Sequence, residues 1–265
     1  MNLFWREIRS YRKSLFFWSL AMLFLVGSGM AKFAVYSGGG QSLTSVIAQF
    51  PKSIQTIFGL TGFDLNTAIG DFGVLFVYIV LTATVHAVLL GTDIIAKEER
   101  DRTSEFLFVK PISRARVIGA KLLAGLTNLV ILNIVTMAAA VYFVGYFGHG
   151  QVLGSETWVL AAGLFFMQLL FFLAGTMMAA IVKKPKTAAG LATAVLLVTY
   201  LITYVIALNQ NLSGLKYLTP FAYFDARNLL ADHNLDPVFV ALSILLAGIM
   251  VWLTYRAYGR RDLNI

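Results

Sequence analysis

The sequence predicts an all-α, polytopic membrane protein with six transmembrane helices. Hydrophobic residues make up 58% of its 265 residues and charged residues only 13%, whereas soluble domains have about 45–50% and about 25%. Six apolar stretches are long enough to cross a bilayer as helices. The basic residues are concentrated in alternate connections between these stretches, which is typical of a protein that crosses the membrane several times.

The six apolar stretches define one transmembrane domain over residues 1–265. A helix needs roughly 20 residues to cross a hydrocarbon core of about 30 Å. The third stretch is long, so we expect its first turns, from Ser113 to near Lys121, to lie in the cytoplasmic interface. Between the first two spans, apolar residues within 50–60 predict a short helix on the outer interface. The expected spans are about 15–36, 72–95, 115–147, 157–182, 187–208 and 237–258.

The basic residues indicate the orientation of the spans. All but four of the 21 Lys and Arg residues precede the first span, follow the sixth, or lie between spans two and three or four and five. The exceptions are Lys32, Lys52, Lys216 and Arg227. Because Lys and Arg accumulate on the cytoplasmic side, we expect both termini in the cytoplasm. The net charge of +8 then reflects membrane topology, and we expect no nucleic-acid partner.

Catalytic motifs are largely absent from the sequence. There is no cysteine, which excludes disulfides, thiolate metal sites and a cysteine nucleophile. There is also no GxxxxGK[ST] phosphate-binding loop. No histidine is followed by a second one at i+4, as a helical zinc site would require, so we expect no metal site. We also expect no catalytic residue on this chain. Ser28, which lies between two glycines, together with His86 leaves an intramembrane serine protease as an alternative.

His86 is the one ionisable residue that we expect deep in the membrane. Proton- and ion-coupled carriers usually bury several such groups near the midplane. The sequence therefore argues against a secondary transporter. A lone buried histidine also serves to hydrogen bond neighbouring helices, and this interpretation of His86 stays open.

The connection between spans two and three, residues 97–121, mixes acidic and basic residues. Mixed charge suits docking to another protein, although an ordinary basic cytoplasmic loop is the alternative. We expect helix over 97–109, which Pro111 would end because proline disfavours helical backbone at the preceding residue. Ser113 is a suitable N-cap for the next helix. The product is a helix–turn–helix elbow over 97–114.

This elbow contains the pattern E-x-x-x-x-T-x-E-x-L-x-x-x-P-I-S-R, which resembles the cytoplasmic motif of ABC-2 type permeases, the membrane subunits of a class of ABC transporters. Arg102 stands where family members commonly have glycine, and Lys121 also fits the pattern. TPFAYFD (219–225) is similar to a second stretch of these permeases, and the run from Pro51 to Gly59 to a third. The motif residues are Glu98, Thr103, Glu105, Leu107, Pro111, Ile112, Ser113 and Arg114.

The resemblance implies a half-transporter in a prokaryotic plasma membrane. Residues 1–14 would form an amphipathic elbow helix at the cytoplasmic interface, and the spacing of their apolar residues independently supports this. Residues 97–114 would couple to a separate ABC ATPase, which would bind ATP and Mg, while this chain would bind no cofactor. A second permease chain, identical or a sister permease, would complete the membrane part, and the substrate would be exported. The alternative is an ATP-independent small channel or membrane assembly factor. The expected coupling residues are Glu98, Thr103, Glu105, Pro111, Ser113 and Arg114.

In this family the substrate pathway is usually placed near spans two and five. Two sets of polar residues mark it here. Tyr78, Thr82 and His86 share one face of span two at i, i+4 and i+8, and span five carries Thr193, Tyr200 and Tyr204. The alternative is that these side chains hold helices together rather than contact substrate.

Overall fold

The computed structural model describes residues 3–37, 45, 47–101, 113–182 and 184–260. Within these ranges the regular structure is helical, and six helices are long and apolar enough to cross a membrane, which confirms the predicted fold class. These helices are α1 (Leu3–Ser37), α3 (Ala68–Arg100), α4 (Arg114–Phe147), α5 (Glu156–Ile181), α6 (Pro185–Leu208) and α8 (Pro237–Arg260). The shorter helices are α2 (Lys52–Ile57), α7 (Ala226–Asp232) and two 3-10 helices (Gln210–Leu218 and Pro220–Ala222).

Helix α1 is longer than the span predicted from the sequence. Its 35 residues would extend about 50 Å at 1.5 Å per residue, well beyond a hydrocarbon core of about 30 Å. The elbow helix expected over 1–14 is continuous with the first span from Leu3 onward. The amphipathic segment is therefore the first turns of a long helix, and its position in the interface stays a prediction.

Helix α3 is the centre of the bundle and is buried along most of its length. It packs most extensively against α5. A Cβ atom on Gly91 of α3 would lie 2.2 Å from the carbonyl oxygen of Phe172, and one on Gly175 of α5 would lie 2.5 Å from that of Val88. The two backbones approach this closely because glycine stands on both sides of the contact, as small residues do at membrane helix crossings.

The remaining spans surround this pair. Helix α1 packs mainly on α4, α8 on α5, and α6 on α3. Helix α6 is the most loosely held, since its buried residues are only Ala188, Ala192 and Leu196. Most of its apolar surface is thus exposed in the single chain.

The connection between α3 and α4 begins and ends with capped helices. Helix α3 ends at Arg100, within the segment 97–109 for which the sequence predicted helix, and residues 102–109 of that segment lie outside the described residues. The carboxylate of the C-cap Asp101 accepts from Arg100 Nε at 3.0 Å, so this short acidic side chain pairs locally at the helix end. Ser113 accepts from the backbone N–H of Arg116 at 3.3 Å and is the N-cap of α4, as predicted.

Candidate functional site

Five charged residues form a cluster where α3 ends and α4 begins, which we call the basal end of the bundle. The basal ion cluster consists of Arg6, Glu7, Lys97, Glu98 and Lys121. The Lys121 ammonium lies 2.5 Å from the Glu98 carboxylate, and their side chains are 0% and 6% exposed. Lys121 also donates to the carbonyl oxygen of Ile94. This pair therefore fastens α4 to the end of α3 inside the protein.

The N-terminal turns of α1 complete the cluster. Arg6 contacts Glu7 at 2.7 Å and Glu98 at 3.2 Å, and Lys97 lies 3.6 Å from Glu7. The Glu7 side chain is fully buried. Removing charges from water costs several kcal/mol per ion, so the three buried members, Glu7, Glu98 and Lys121, depend on their neighbours for compensation. The cluster therefore joins α1, α3 and α4 into one unit.

A second polar group lies beside the cluster on the same helices. The Tyr11 hydroxyl donates to Asp93 at 2.8 Å, and Arg100 also pairs with Asp93. Lys97 donates to Ser10 at 2.5 Å and lies over the Tyr11 ring at 5.2 Å. These contacts add three further links between α1 and the end of α3.

The structure places the expected coupling residues in different environments. Glu98 is buried in the cluster, whereas Ser113 is exposed. Arg114 donates to the carbonyl oxygen of Gly259 at 3.2 Å, which links the start of α4 to the end of α8. The other three expected residues, Thr103, Glu105 and Pro111, lie outside the described residues.

Sequence reasoning missed Glu7. The signal was available, because Glu7 is the one acidic residue among the four basic residues of the first fourteen positions. A lone carboxylate in a basic segment is a candidate for ion pairing when the chain folds.

The three expected pathway residues of α3 do not share one environment. Tyr78 is 38% exposed, and its hydroxyl donates to the carbonyl oxygen of Phe58 at 3.1 Å. Thr82 donates to the backbone of Tyr78 within its own helix. His86 is buried beside Trp18, with ring centroids 5.1 Å apart. Its Nδ1 atom has no hydrogen-bond partner among the residues that the structure describes.

On α6, the structure brings two expected pathway residues together. The hydroxyl groups of Tyr200 and Tyr204 lie 2.5 Å apart, and both side chains line a small cavity of about 70 Å³ between α3 and α6. Thr193 is half-buried nearer the start of α6 and does not line this cavity. The expected residues are thus divided between the tyrosine cavity, the Trp18 contact and the helix surface.

The TPFAYFD segment holds the connection between α6 and α8 onto the bundle. Thr219 is fully buried and donates to the carbonyl oxygen of Thr199 at 2.7 Å. Tyr223 stacks on Phe239 of α8 at 4.9 Å, and Phe224 stacks on Phe166 of α5 at 5.4 Å. Each of these residues has a specific packing partner, so in this chain the segment serves to hold the connection between α6 and α8 against the bundle.

The segment ends in an ion pair that also caps α7. Asp225 accepts from the Arg227 backbone N–H at 2.9 Å as the N-cap of α7, and both its oxygens accept from the Arg227 guanidinium. These hydrogen bonds raise the pKa of Arg227 above its ordinary value. Burial raises the pKa of Tyr223 above its usual range, so this hydroxyl remains a hydrogen-bond donor to Tyr217 at neutral pH.

Six long apolar helices, three of which are joined at one end by buried charges, define a polytopic integral membrane protein. The family described as "ABC-2 family transporter protein" matches residues 1–263. The chain therefore belongs to the ABC-2 transporter family and is a membrane permease subunit of an ABC transporter. No curated protein matches the chain significantly.

Proposed function

We propose that this permease works with a separate ABC ATPase, which binds ATP and Mg²⁺ and drives the export of a substrate. The observation that carries the proposal is the family match, which extends over residues 1–263. The sequence itself has no phosphate-binding loop of the GxxxxGK[ST] type through which the chain could hold ATP. ATP hydrolysis is therefore assigned to the partner, with no catalytic residue, metal or cofactor on this chain.

The proposed assembly contains two permease chains in a prokaryotic plasma membrane, with all termini in the cytoplasm. The confinement of most basic residues to alternate connections supports this orientation. The loosely held helix α6 supports pairing, since a second chain would cover apolar surface that the first leaves exposed. The second chain is either identical or a sister permease.

In the proposed mechanism, the ATPase docks on residues 97–114 and pushes on them as its subunits close. The basal ion cluster connects this segment to α1 as well as to α3 and α4. A displacement of the segment would thus move three helices together. Close packing of α3 on α5 would carry the motion toward α6 and the tyrosine cavity.

The test is purification of the tagged chain from its native host in mild detergent, followed by an ATPase assay of the eluate. We expect an ABC ATPase to co-purify and its activity to be inhibited by vanadate. The same purification is repeated with the Glu105→Lys variant, which should yield the permease with less ATPase. An ATPase-free oligomer of the wild-type chain would overturn the proposal and favour the channel or assembly-factor alternative.

A further inference from the structure

A second, larger cavity lies between α1, α3 and α6. Its volume is about 380 Å³, within the range of roughly 300–1,000 Å³ that is usual for small-ligand pockets. Residues from all three helices line it, among them Tyr11, Trp18, Leu89, Asp93, Lys186 and Ala189. We call it the α1/α6 cavity. It is distinct from the tyrosine cavity, with which it shares no lining residue.

The polar lining of this cavity leaves one cation without a partner. Asp93 is already satisfied by Tyr11 and Arg100, and Arg100 also pairs with Asp101. Lys186 lines the cavity from an exposed position, and among the described residues it has neither an ion pair nor a hydrogen bond. It stands in the first turn of α6, where the helix dipole adds partial positive charge. This part of the cavity therefore favours an anionic group.

The remaining lining is mostly apolar, but it also includes Ser14, Thr92 and the buried His86, whose Nδ1 atom has no hydrogen-bond partner among the described residues. Trp18, Leu89 and Leu90 form a hydrophobic wall, and the buried ring of His86 packs against Trp18. Helix α1, which encloses one side of the cavity, has few buried residues. In a membrane its exposed side would face lipid, so a lipid molecule could reach the cavity past α1, whereas the exposed side of α6 is the surface proposed to pair with a second chain.

We propose that the α1/α6 cavity binds an anionic phospholipid from the adjacent leaflet. The phosphate lies near Lys186 and the N-terminus of α6, and one acyl chain lies along Trp18 and Leu89. A free phosphate ion would satisfy the cation but would leave the hydrophobic wall uncovered. The combination of an unpaired cation and an apolar wall therefore fits an anionic amphiphile. This site requires neither an ATPase nor a particular orientation in the membrane.

The test is tryptophan quenching by brominated lipid in reconstituted vesicles. Trp18 is made the only tryptophan by Trp5→Phe, Trp158→Phe and Trp252→Phe. Vesicles of phosphatidylcholine then receive increasing fractions of either dibrominated phosphatidylglycerol or dibrominated phosphatidylcholine. Because one lysine near anionic lipid gives roughly fivefold in affinity, we expect half-maximal quenching at an about fivefold lower fraction of the anionic lipid.

Two pairs of variants make the result specific to the cavity. Lys186→Gln should abolish the preference for phosphatidylglycerol, whereas Lys184→Gln, at a lysine that is also exposed but does not line the cavity, should retain it. Ala189→Phe should reduce quenching by both lipids because the ring fills the cavity, whereas Leu191→Phe on the exposed side of α6 should not.

Three results would overturn the proposal. The first is equal quenching by the two brominated lipids, and the second is an unchanged preference in Lys186→Gln. The third is relief of quenching by millimolar inorganic phosphate, which would assign the cavity to a soluble anion. All are measured on the permease alone, so they are independent of whether an ATPase co-purifies.

Discussion

Lys121 of α4 is fully buried against the carboxylate of Glu98, one helical turn or less from the end of α3. Both residues fit the sequence motif of the permease family, which suggests surface contacts with a partner. Their burial indicates a different role, because neither side chain is available at the surface. The pair holds together the two helices that flank the segment proposed to contact the ATPase.

Lys121→Met should strongly destabilise the protein. Methionine replaces the unbranched aliphatic part of the lysine side chain but removes the ammonium, which leaves Glu98 buried with Arg6 as its remaining partner. Breaking a buried ion pair from one side typically costs about 3–5 kcal/mol. Thermal unfolding in detergent, followed by size-exclusion chromatography, measures the loss as a lower transition temperature.

The controls for this prediction are a double variant and an exposed lysine. Lys121→Met combined with Glu98→Leu should recover part of the loss because the carboxylate that Lys121 neutralised is removed, while Glu7 keeps Arg6 and Lys97 as partners. Lys13→Met removes an exposed charge and should change the transition temperature little. Equal behaviour of Lys121→Met and Lys13→Met would show that the buried pair contributes nothing to stability.

The six spans could be predicted from the sequence because the bilayer sets both their length and their composition. The positions at which α4, α5, α6 and α8 begin differ from the expected ones by no more than two residues. The continuity of α1 from Leu3 onward could not be predicted in this way. It depends on tertiary contacts, since Glu7, Arg6 and Tyr11 hold the N-terminal turns of α1 against α3.

The candidate sites were harder to predict from the sequence than the spans. Helical spacing places Tyr78, Thr82 and His86 on one face of α3, but it does not reveal what packs against that face. Trp18 covers His86, whereas Tyr78 is partly exposed. The pairing of Tyr200 with Tyr204 agrees with their i, i+4 spacing, because that contact lies within a single helix. Their role in a pathway stays a prediction.

Gly91→Ala should destabilise the crossing of α3 and α5. The added methyl group would lie 2.2 Å from the carbonyl oxygen of Phe172, a distance that forces the two backbones apart. Overpacking of this kind costs about 1–3 kcal/mol, which should appear as a lower unfolding temperature in detergent. Gly248→Ala on α8 is the matched control, since a Cβ there meets nothing within 4 Å. If both variants unfolded at the same temperature, the close contact at Gly91 would be refuted.

Asp225→Ala should loosen α7 more than loss of a helix cap alone would. The carboxylate caps α7 and also holds the Arg227 guanidinium, so its removal costs about 1 kcal/mol for the cap plus the ion pair. Hydrogen exchange of the α7 amides should therefore accelerate. Asp236→Ala is the comparison, since Asp236 accepts from the backbone N–H of Val238 and has no ion pair among the described residues. Equal acceleration at the two helix starts would exclude a contribution from Arg227.

Glu105→Lys should weaken the proposed association with the ATPase without unfolding the permease. Reversing a charge in a docking segment places like charges opposite each other, which costs several kcal/mol at complementary interfaces. We expect at least a roughly tenfold loss of affinity, equivalent to about 1.4 kcal/mol, measured by co-purification at increasing salt. Arg114→Glu should have the same effect, accompanied by some loss of stability because Arg114 also holds the end of α8.

The control for this charge reversal is Asp236→Lys, which makes the same change in charge between α7 and α8. In the proposed orientation this position faces away from the ATPase, so association should be unaffected. Unchanged association in both Glu105→Lys and Arg114→Glu would remove residues 97–114 from the coupling surface. If association with the ATPase were lost only in Asp236→Lys, the proposed orientation would be reversed, because the partner would then bind the opposite face of the membrane.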